Sequence, residues 1–174
     1  MTFSQTDFEP AQQGDLDGLC GVYTGVNFFC RKLNFEATGG EAKKIFRDLL
    51  SELNTQGKIT VHRLCKGFAE GQLQKAFNKV AKKWKAQVKV QRLEVFINRI
   101  GAKTVFDAIA ALEPGQAAML NMNRGGHWVL AFGCDGKIMH VDDSSDEVKT
   151  ITWQREDARA LGLSKKNGLV FLNA

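Results

Sequence analysis

Apolar positions in the first half of the chain follow helical periodicity. Three amphipathic helices are predicted: one that begins near Cys20, one over about residues 41–54 and one over about residues 69–86. Gly21 and Gly25 lie early in the first helix, where each costs about 1 kcal/mol relative to alanine. We therefore expect this helix to pack closely against another part of the backbone.

Apolar and polar positions alternate in the last third of the chain, which is typical of strands. Strands are predicted over residues 117–122, 127–134, 137–142, 148–153 and 169–172. Asp135-Gly136 is a strong signal for a two-residue hairpin turn. A short edge strand over 88–93, a helix over 104–112 and a helical turn over 156–161 complete the prediction. Helices followed by an antiparallel sheet indicate an α+β domain, with the Cys20 helix laid across the sheet.

Composition is that of an ordinary globular protein. The 174 residues are 44% hydrophobic and 25% charged, and no linker or repeat divides them, so one domain over residues 1–174 is expected. No apolar run is long enough for a membrane span, and the first ten residues lack the features of a secretory signal. We expect a protein that is cytoplasmic as synthesised, with secretion as an effector left open.

The four cysteines show no close-spaced pairing of the CxxC kind. We interpret them as reduced thiols, of which one is reactive and three are buried. The only local hint of a metal site is the stretch from His62 to Cys65, and zinc requires four convergent ligands. No metal ion is expected.

The net charge of +5 is concentrated in one segment. Residues 71–92 contain seven basic side chains and no acid. A solvated helix face is the favoured interpretation, and the alternative is a patch for an acidic protein partner or inhibitor. Reversal of Lys79, Lys82 and Lys83 to Glu would test the alternative, since it should weaken such binding. No motif for nucleic-acid binding is present.

Two separated stretches carry candidate chemistry. Cys20 lies at the first turn of its predicted helix, where the positive end of the helix dipole favours the thiolate, which is the nucleophilic form. His127 opens a strand directly after Gly125-Gly126, a position from which its ring could reach the helix end. Together they are typical of a thiol nucleophile with an imidazole base.

An imidazole that acts as base and acid needs its second nitrogen held by a carboxylate. The predicted hairpin returns Asp142 and Asp143 to the vicinity of His127. In an ideal two-residue hairpin His127 would fall opposite Ser144, and same-face counting would favour Asp142. That count fails if the strand bulges or ends early, so geometry alone leaves both aspartates open.

An oxyanion in the transition state needs hydrogen-bond donors. The backbone N–H of Cys20 is one natural donor. Gln13 lies seven residues earlier, beyond a Gly/Asp turn segment, and is placed to offer its side-chain amide as the second.

These residues resemble the papain-like cysteine peptidase superfamily, in which a glutamine, a cysteine that opens the central helix, a histidine that opens a strand and an Asn or Asp on the next strand form the site. The resemblance rests on Gln13 to Gly21 and His127 to Ser145. In papain and the bacteriocin-processing peptidases the third member follows the histidine by sixteen residues, which implies Asp143 here. This chain departs from papain in carrying Gly21-Val22, and not a large aromatic, after the cysteine.

The resemblance implies a papain-like hydrolase that cleaves a peptide or isopeptide bond through Cys20, His127 and Asp143, with Gln13 at the oxyanion and no cofactor. A protein or peptide substrate is implied, and bacterial effector proteases share the His-Trp pair. Two alternatives remain: use of the same residues for deamidation, transglutamination or peptidoglycan cleavage, and a binding protein whose thiol is idle. Neither the substrate nor the oligomeric state follows from the sequence.

Overall fold

The computed structural model describes residues 10–11, 18–88, 94–97, 109–110, 112, 117–122, 127–135, 138–143, 151–154 and 169–173. Within these ranges four helices precede most of the sheet: α1 (Cys20–Leu33), α2 (Gly40–Thr55), α3 (Val61–Lys66) and α4 (Glu70–Val88). The strands are β1 (Glu94–Ile97), β2 (Ala117–Met122), β3 (His127–Asp135), β4 (Ile138–Asp142), β5 (Ile151–Gln154) and β6 (Leu169–Asn173).

All strand pairs are antiparallel, in the order β1-β6-β2-β3-β4-β5. Helix α1 packs on the central strand β3, and α2 packs against both α1 and α4. The predicted α+β fold, with the Cys20 helix laid across an antiparallel sheet, is confirmed. No helix within the described ranges is both long and apolar enough to cross a membrane.

The core between α1 and the sheet explains why α1 forms where it does. Ten of its fourteen residues are buried, and the side chains of Trp128, Leu130 and Phe132 face it from alternate positions of β3. Asn34 ends the helix in the left-handed conformation, with φ 56°. Side chains on the other face of β3, Val129 and Ala131, are buried as well, so the strand that begins at His127 is covered on both sides.

Close packing around α1 agrees with its glycines. A Cβ atom added to Gly21 would lie 2.6 Å from Cδ1 of Leu73 on α4 and 3.3 Å from Cδ1 of Trp128 on β3. At Gly25 an added Cβ would meet the ring of Phe77 at 2.7 Å from Cζ. The two glycines let α4 approach α1 at the end that carries Cys20.

Several predicted elements differ from the observed ones. Of the edge strand expected over 88–93, Val88 instead ends α4 and residues 89–93 lie outside the described residues; the edge strand β1 that follows them is Glu94–Ile97. Helix α3 was not predicted, since its six residues are too few for a helical period to be visible. Of the helix expected over 104–112 only residues 109–110 are described as helical, and the turn expected over 156–161 lies outside the described residues.

Candidate active site

Cys20 is the first residue of α1 and is buried, with 4% of its surface exposed. The residue before the helix, Leu19, forms no side-chain cap hydrogen bond, and its carbonyl accepts from the backbone N–H groups of Val22 and Tyr23 in the first turn. The chain leading into the helix is held by a backbone hydrogen bond from the N–H of Gly18 to the carbonyl of Leu64. The local fold thus directs the positive end of the α1 dipole at a thiol.

His127 is the first residue of β3 and pairs with Met122 of β2. The next residue on β3, Trp128, is hydrogen-bonded to α1 through the hydroxyl group of Thr24. This hydroxyl donates to the carbonyl oxygen of Trp128 at 3.0 Å and to that of Cys20 at 2.7 Å. Because Thr24 lies one helical turn after Cys20, this contact sets the start of β3 beside the start of the helix.

The ring of His127 hydrogen-bonds to groups on two different elements. Its Nε2 lies 2.7 Å from Oδ1 of Asp143, which directly follows β4, and the ring also hydrogen-bonds to the side chain of Cys20 at the start of α1. The side chains of His127 and Asp143 are 15% and 10% exposed, so the pair is largely shielded from water.

These contacts change the acidity of the imidazole. Burial is the largest influence on His127 and acts to lower its pKa, but the hydrogen bonds and negative charges of Asp143 and Cys20 together outweigh it and raise the pKa from 6.5 to about 9. The ring is therefore an imidazolium at neutral pH. This is the protonation state that a thiolate partner stabilises.

Asp142 has a different partner from its neighbour. It is 1% exposed and forms an ion pair with the guanidinium of Arg31, near the end of α1, with Nε 2.5 Å from Oδ2. The ideal hairpin count, which favoured Asp142 as the partner of His127, is therefore wrong.

The cause is a register shift within the hairpin. Cys134 pairs with Met139, not with Lys137 as expected, and a β-bulge lies between Ala131 and Gly133. Beyond the bulge Leu130 pairs with Asp142. His127 is three residues from Leu130 and Asp143 is one residue from Asp142, so strand alternation in this register gives the side chains of His127 and Asp143 the same orientation and that of Asp142 the opposite one.

The remaining predicted residues divide into two groups. Gln13 and Gly125-Gly126 lie outside the described residues. Cys30 is a buried free thiol, and burial together with the charge of Glu41 raises its pKa to about 12, which makes it unreactive. His62 is exposed on α3, and the ring of His140 stacks on Phe132 at a centroid distance of 6.2 Å.

The basic helix α4 is partly neutralised within the chain. Nζ of Lys83 lies 2.6 Å from Oδ1 of Asp48, and Nζ of Lys79 lies 2.9 Å from Oε2 of Glu52, both acids being on α2. Nε1 of Trp84 also donates to Asp48, at 2.9 Å. Lys79 and Lys83, two of the lysines in the patch suggested for an acidic partner, therefore form ion pairs that link α4 to α2.

The sequence-based prediction did not identify Thr24 and Arg31, which contact the strands that carry the site. Thr24 and Arg31 follow Cys20 by four and eleven residues, so all three project from one face of α1. Polar and charged side chains on the apolar face of a helix are the signal that could have identified them. Within the described part of the chain, no group of three or more His, Cys, Asp or Glu side chains could hold a metal ion.

No family model matches the sequence, and no curated protein matches it. Solved structures do. The peptidase domain of Streptococcus ComA, a bi-functional ABC transporter involved in a quorum-sensing pathway, superposes with a TM-score of 0.62 and 13% identity, covering 96% of this chain and 98% of that one. The Streptococcus mutans ComA peptidase domain gives a TM-score of 0.54 at 14% identity, covering 96% and 100%.

A third structure is a double glycine motif protease from an AMS/PCAT transporter, solved in complex with the leader peptide. It gives a TM-score of 0.57 at 12% identity and covers 97% of this chain and 96% of that one. Agreement over nearly the whole length of each domain at so low an identity is a likeness of fold. The chain therefore has the fold of these peptidase domains, and this is the fold that the resemblance of the two sequence motifs implies.

Proposed function

We propose that this protein is a thiol-dependent hydrolase that cleaves a peptide or isopeptide bond through Cys20, His127 and Asp143. The observation that carries the proposal is the continuous hydrogen-bonded series of these three side chains, at the start of a helix, the start of a strand and the end of the next strand. A nucleophile, a base and a group that orients the base are the minimum set for acyl transfer.

In the proposed reaction the Cys20 thiolate attacks the carbonyl carbon, and a C–S bond forms. His127, protonated at neutral pH because its pKa is about 9, then donates its proton to the leaving nitrogen as the C–N bond breaks. A water molecule, deprotonated by the now neutral ring, attacks the thioester. The acid product departs, and the thiolate and imidazolium are restored.

The developing oxyanion needs donors, and the backbone N–H of Cys20 at the start of α1 is one. We assign the second to the side-chain amide of Gln13, on the strength of the sequence motif alone. The reaction needs no cofactor. The proposed substrate is a peptide or protein segment, as in the solved protease of this fold that holds a leader peptide.

Thiol reactivity tests the proposal inside one molecule. We expect iodoacetamide at neutral pH to alkylate Cys20 much faster than Cys30, whose raised pKa leaves almost no thiolate. Mass spectrometry of the two peptides gives both rates from the same sample. The His127→Ala variant should lose the difference, and equal rates at both cysteines in the wild type would reject the active site in favour of an idle thiol.

The reaction products distinguish hydrolysis from deamidation or transglutamination by the same three residues. Incubation with a bacterial proteome, followed by terminal labelling and mass spectrometry, should reveal new peptide termini that the Cys20→Ala variant does not generate. Modified glutamine side chains without new termini would instead indicate deamidation or transglutamination.

A further inference from the structure

Arg31 and Asp142 form a buried, two-point ion pair between the end of α1 and the end of β4. Nε of Arg31 lies 2.5 Å from Oδ2 of Asp142 and its second guanidinium nitrogen lies 2.7 Å from Oδ1, with side-chain exposures of 2% and 0%. A two-point contact fixes the orientation of both planar groups as well as their separation. The helix end and the strand end are therefore held in one relative placement.

The same guanidinium lies over the residue at which the sheet changes register. The carbon at its centre is 4.0 Å from the centroid of the Phe132 ring, and Phe132 is the extra residue between the pairs Ala131–Val141 and Gly133–His140. Arg31 thus contacts β3 at its bulge and β4 at its end. These are the two features that decide which side of the sheet Asp143 occupies.

Stability alone is a weak reason for such a pair. Removing two charges from water costs several kcal/mol per ion, and hydrophobic residues of similar size often stabilise a core as well or better. A buried ion pair does discriminate between arrangements, because a register that sets an uncharged side chain against Arg31 would leave the guanidinium without its partner in the interior. If β4 slipped by one residue, Asp142 would lose Arg31 and Asp143 would leave the side of His127.

We propose that Arg31 is a positioning residue: its ion pair with Asp142 holds the strand end from which Asp143 reaches His127. This role presupposes the thiol-dependent activity proposed above. Cys20 and Arg31 belong to one helix and lie about 16 Å apart along it, at a rise of about 1.5 Å per residue. One rigid element therefore carries the nucleophile at one end and fixes the acid-bearing strand with the other.

The test needs variants that remain folded and a readout that simple loss of stability does not move. Arg31→Met alone would leave the Asp142 charge buried, so the principal variant is the double substitution Arg31→Met with Asp142→Asn, which removes both charges. Arg31→Lys keeps the charge and loses the two-point geometry. Leu53→Ala, at a fully buried position near the C-terminal end of α2, is the control for destabilisation.

Two quantities are measured on each folded variant: the pKa of the His127 ring by NMR titration, and the rate of Cys20 alkylation near neutral pH. Among the residues that the structure describes, Cys20 from α1 and Asp143 after β4 act on this ring to raise its pKa. In the double variant we expect the pKa to fall from about 9 towards 6.5 and alkylation to slow about tenfold, since misplacement of a catalytic group by about 1 Å can cost up to about 100-fold. Arg31→Lys should lie between it and the wild type, and Leu53→Ala should match the wild type.

The proposal is overturned if the folded double variant keeps the wild-type pKa and alkylation rate, or if Leu53→Ala changes both as much as the double variant does. A different result would reject the proposed function itself: wild-type protein in which Cys20 reacts no faster than Cys30 and His127 titrates near 6.5. The wild-type measurement therefore distinguishes the two failures before any variant is made.

Discussion

Oδ1 of Asp143 lies 2.7 Å from Nε2 of His127, and Asp143 is the first residue beyond the end of β4. The neighbouring carboxylate, on Asp142, is occupied by Arg31 on the other side of the strand. Two consecutive aspartates thus have separate tasks, because successive side chains of an extended chain point in opposite directions.

Substitution of Asp143 should change the imidazole directly. In Asp143→Ala the ring loses a hydrogen bond and a negative charge that raise its pKa, while burial continues to lower it, so we expect the pKa of His127 to fall below about 9. Peptide hydrolysis should fall by ~100-fold or more, the scale of an oriented general acid or base. NMR titration and a peptide cleavage assay measure the two effects.

Asp48→Asn is the matched control for Asp143→Ala, since Asp48 also pairs with a basic side chain but lies on α2. It should leave the His127 titration unchanged. An unaltered pKa in Asp143→Ala would mean that Asp143 does not act on the ring.

The pH profile of hydrolysis should have its basic limb near pH 9. Below that pH the His127 ring carries the proton that the leaving amine needs, and above it the protonated fraction falls about tenfold per pH unit. Alkylation of Cys20 requires no proton donor and should not fall over the same range. Initial rates on a peptide taken from a mapped cleavage site provide the profile, and a limb near pH 6.5 would contradict the raised pKa.

Alanine substitutions at Gly25 on α1 and Gly71 on α4 should have different effects on the free energy of unfolding. Gly25→Ala drives a methyl group into the ring of Phe77, and overpacking costs about 1–3 kcal/mol against ~1 kcal/mol gained in helix propensity, so we expect a net destabilisation of up to about 2 kcal/mol. Gly71, in the first turn of α4, has no atom within 4 Å of an added Cβ, so Gly71→Ala should be neutral or stabilising by up to about 1 kcal/mol. Urea denaturation measures both, and equal effects would disprove the close contact.

Charge reversal on α4 should lower stability only at the lysines that form ion pairs with α2, and not at the solvated ones. Changing Lys79 and Lys83 to Glu sets carboxylates against Glu52 and Asp48, and should lower the free energy of unfolding by about 1 kcal/mol, the scale of partly exposed pairs. The charge-matched control reverses Lys75 and Lys82, which are exposed on the same helix. It should leave stability nearly unchanged in thermal unfolding, and a loss equal to that of the first variant would show that net charge alone is responsible.

Local periodicity was sufficient for most of the architecture. The long helices and the strands that flank the site have apolar positions at regular spacing, and α1, α2, α4, β2 and β3 lie within about two residues of their predicted bounds. The prediction missed α3, whose six residues are too few to show a helical period, and it ended α4 two residues before Val88.

Local residue types at element ends were enough to predict the order of helices and strands and to place Cys20 and His127 at the start of theirs. Counting along an ideal hairpin left the aspartate open and the spacing in the papain-like resemblance implied Asp143, but the physical reason that Asp143 meets His127 comes from the folded structure. That choice depends on the bulge at Phe132 and the pairing of Arg31 with Asp142, contacts between residues up to 111 positions apart. One extra residue in a strand reverses every side chain beyond it, and no local pattern records where that residue is accommodated.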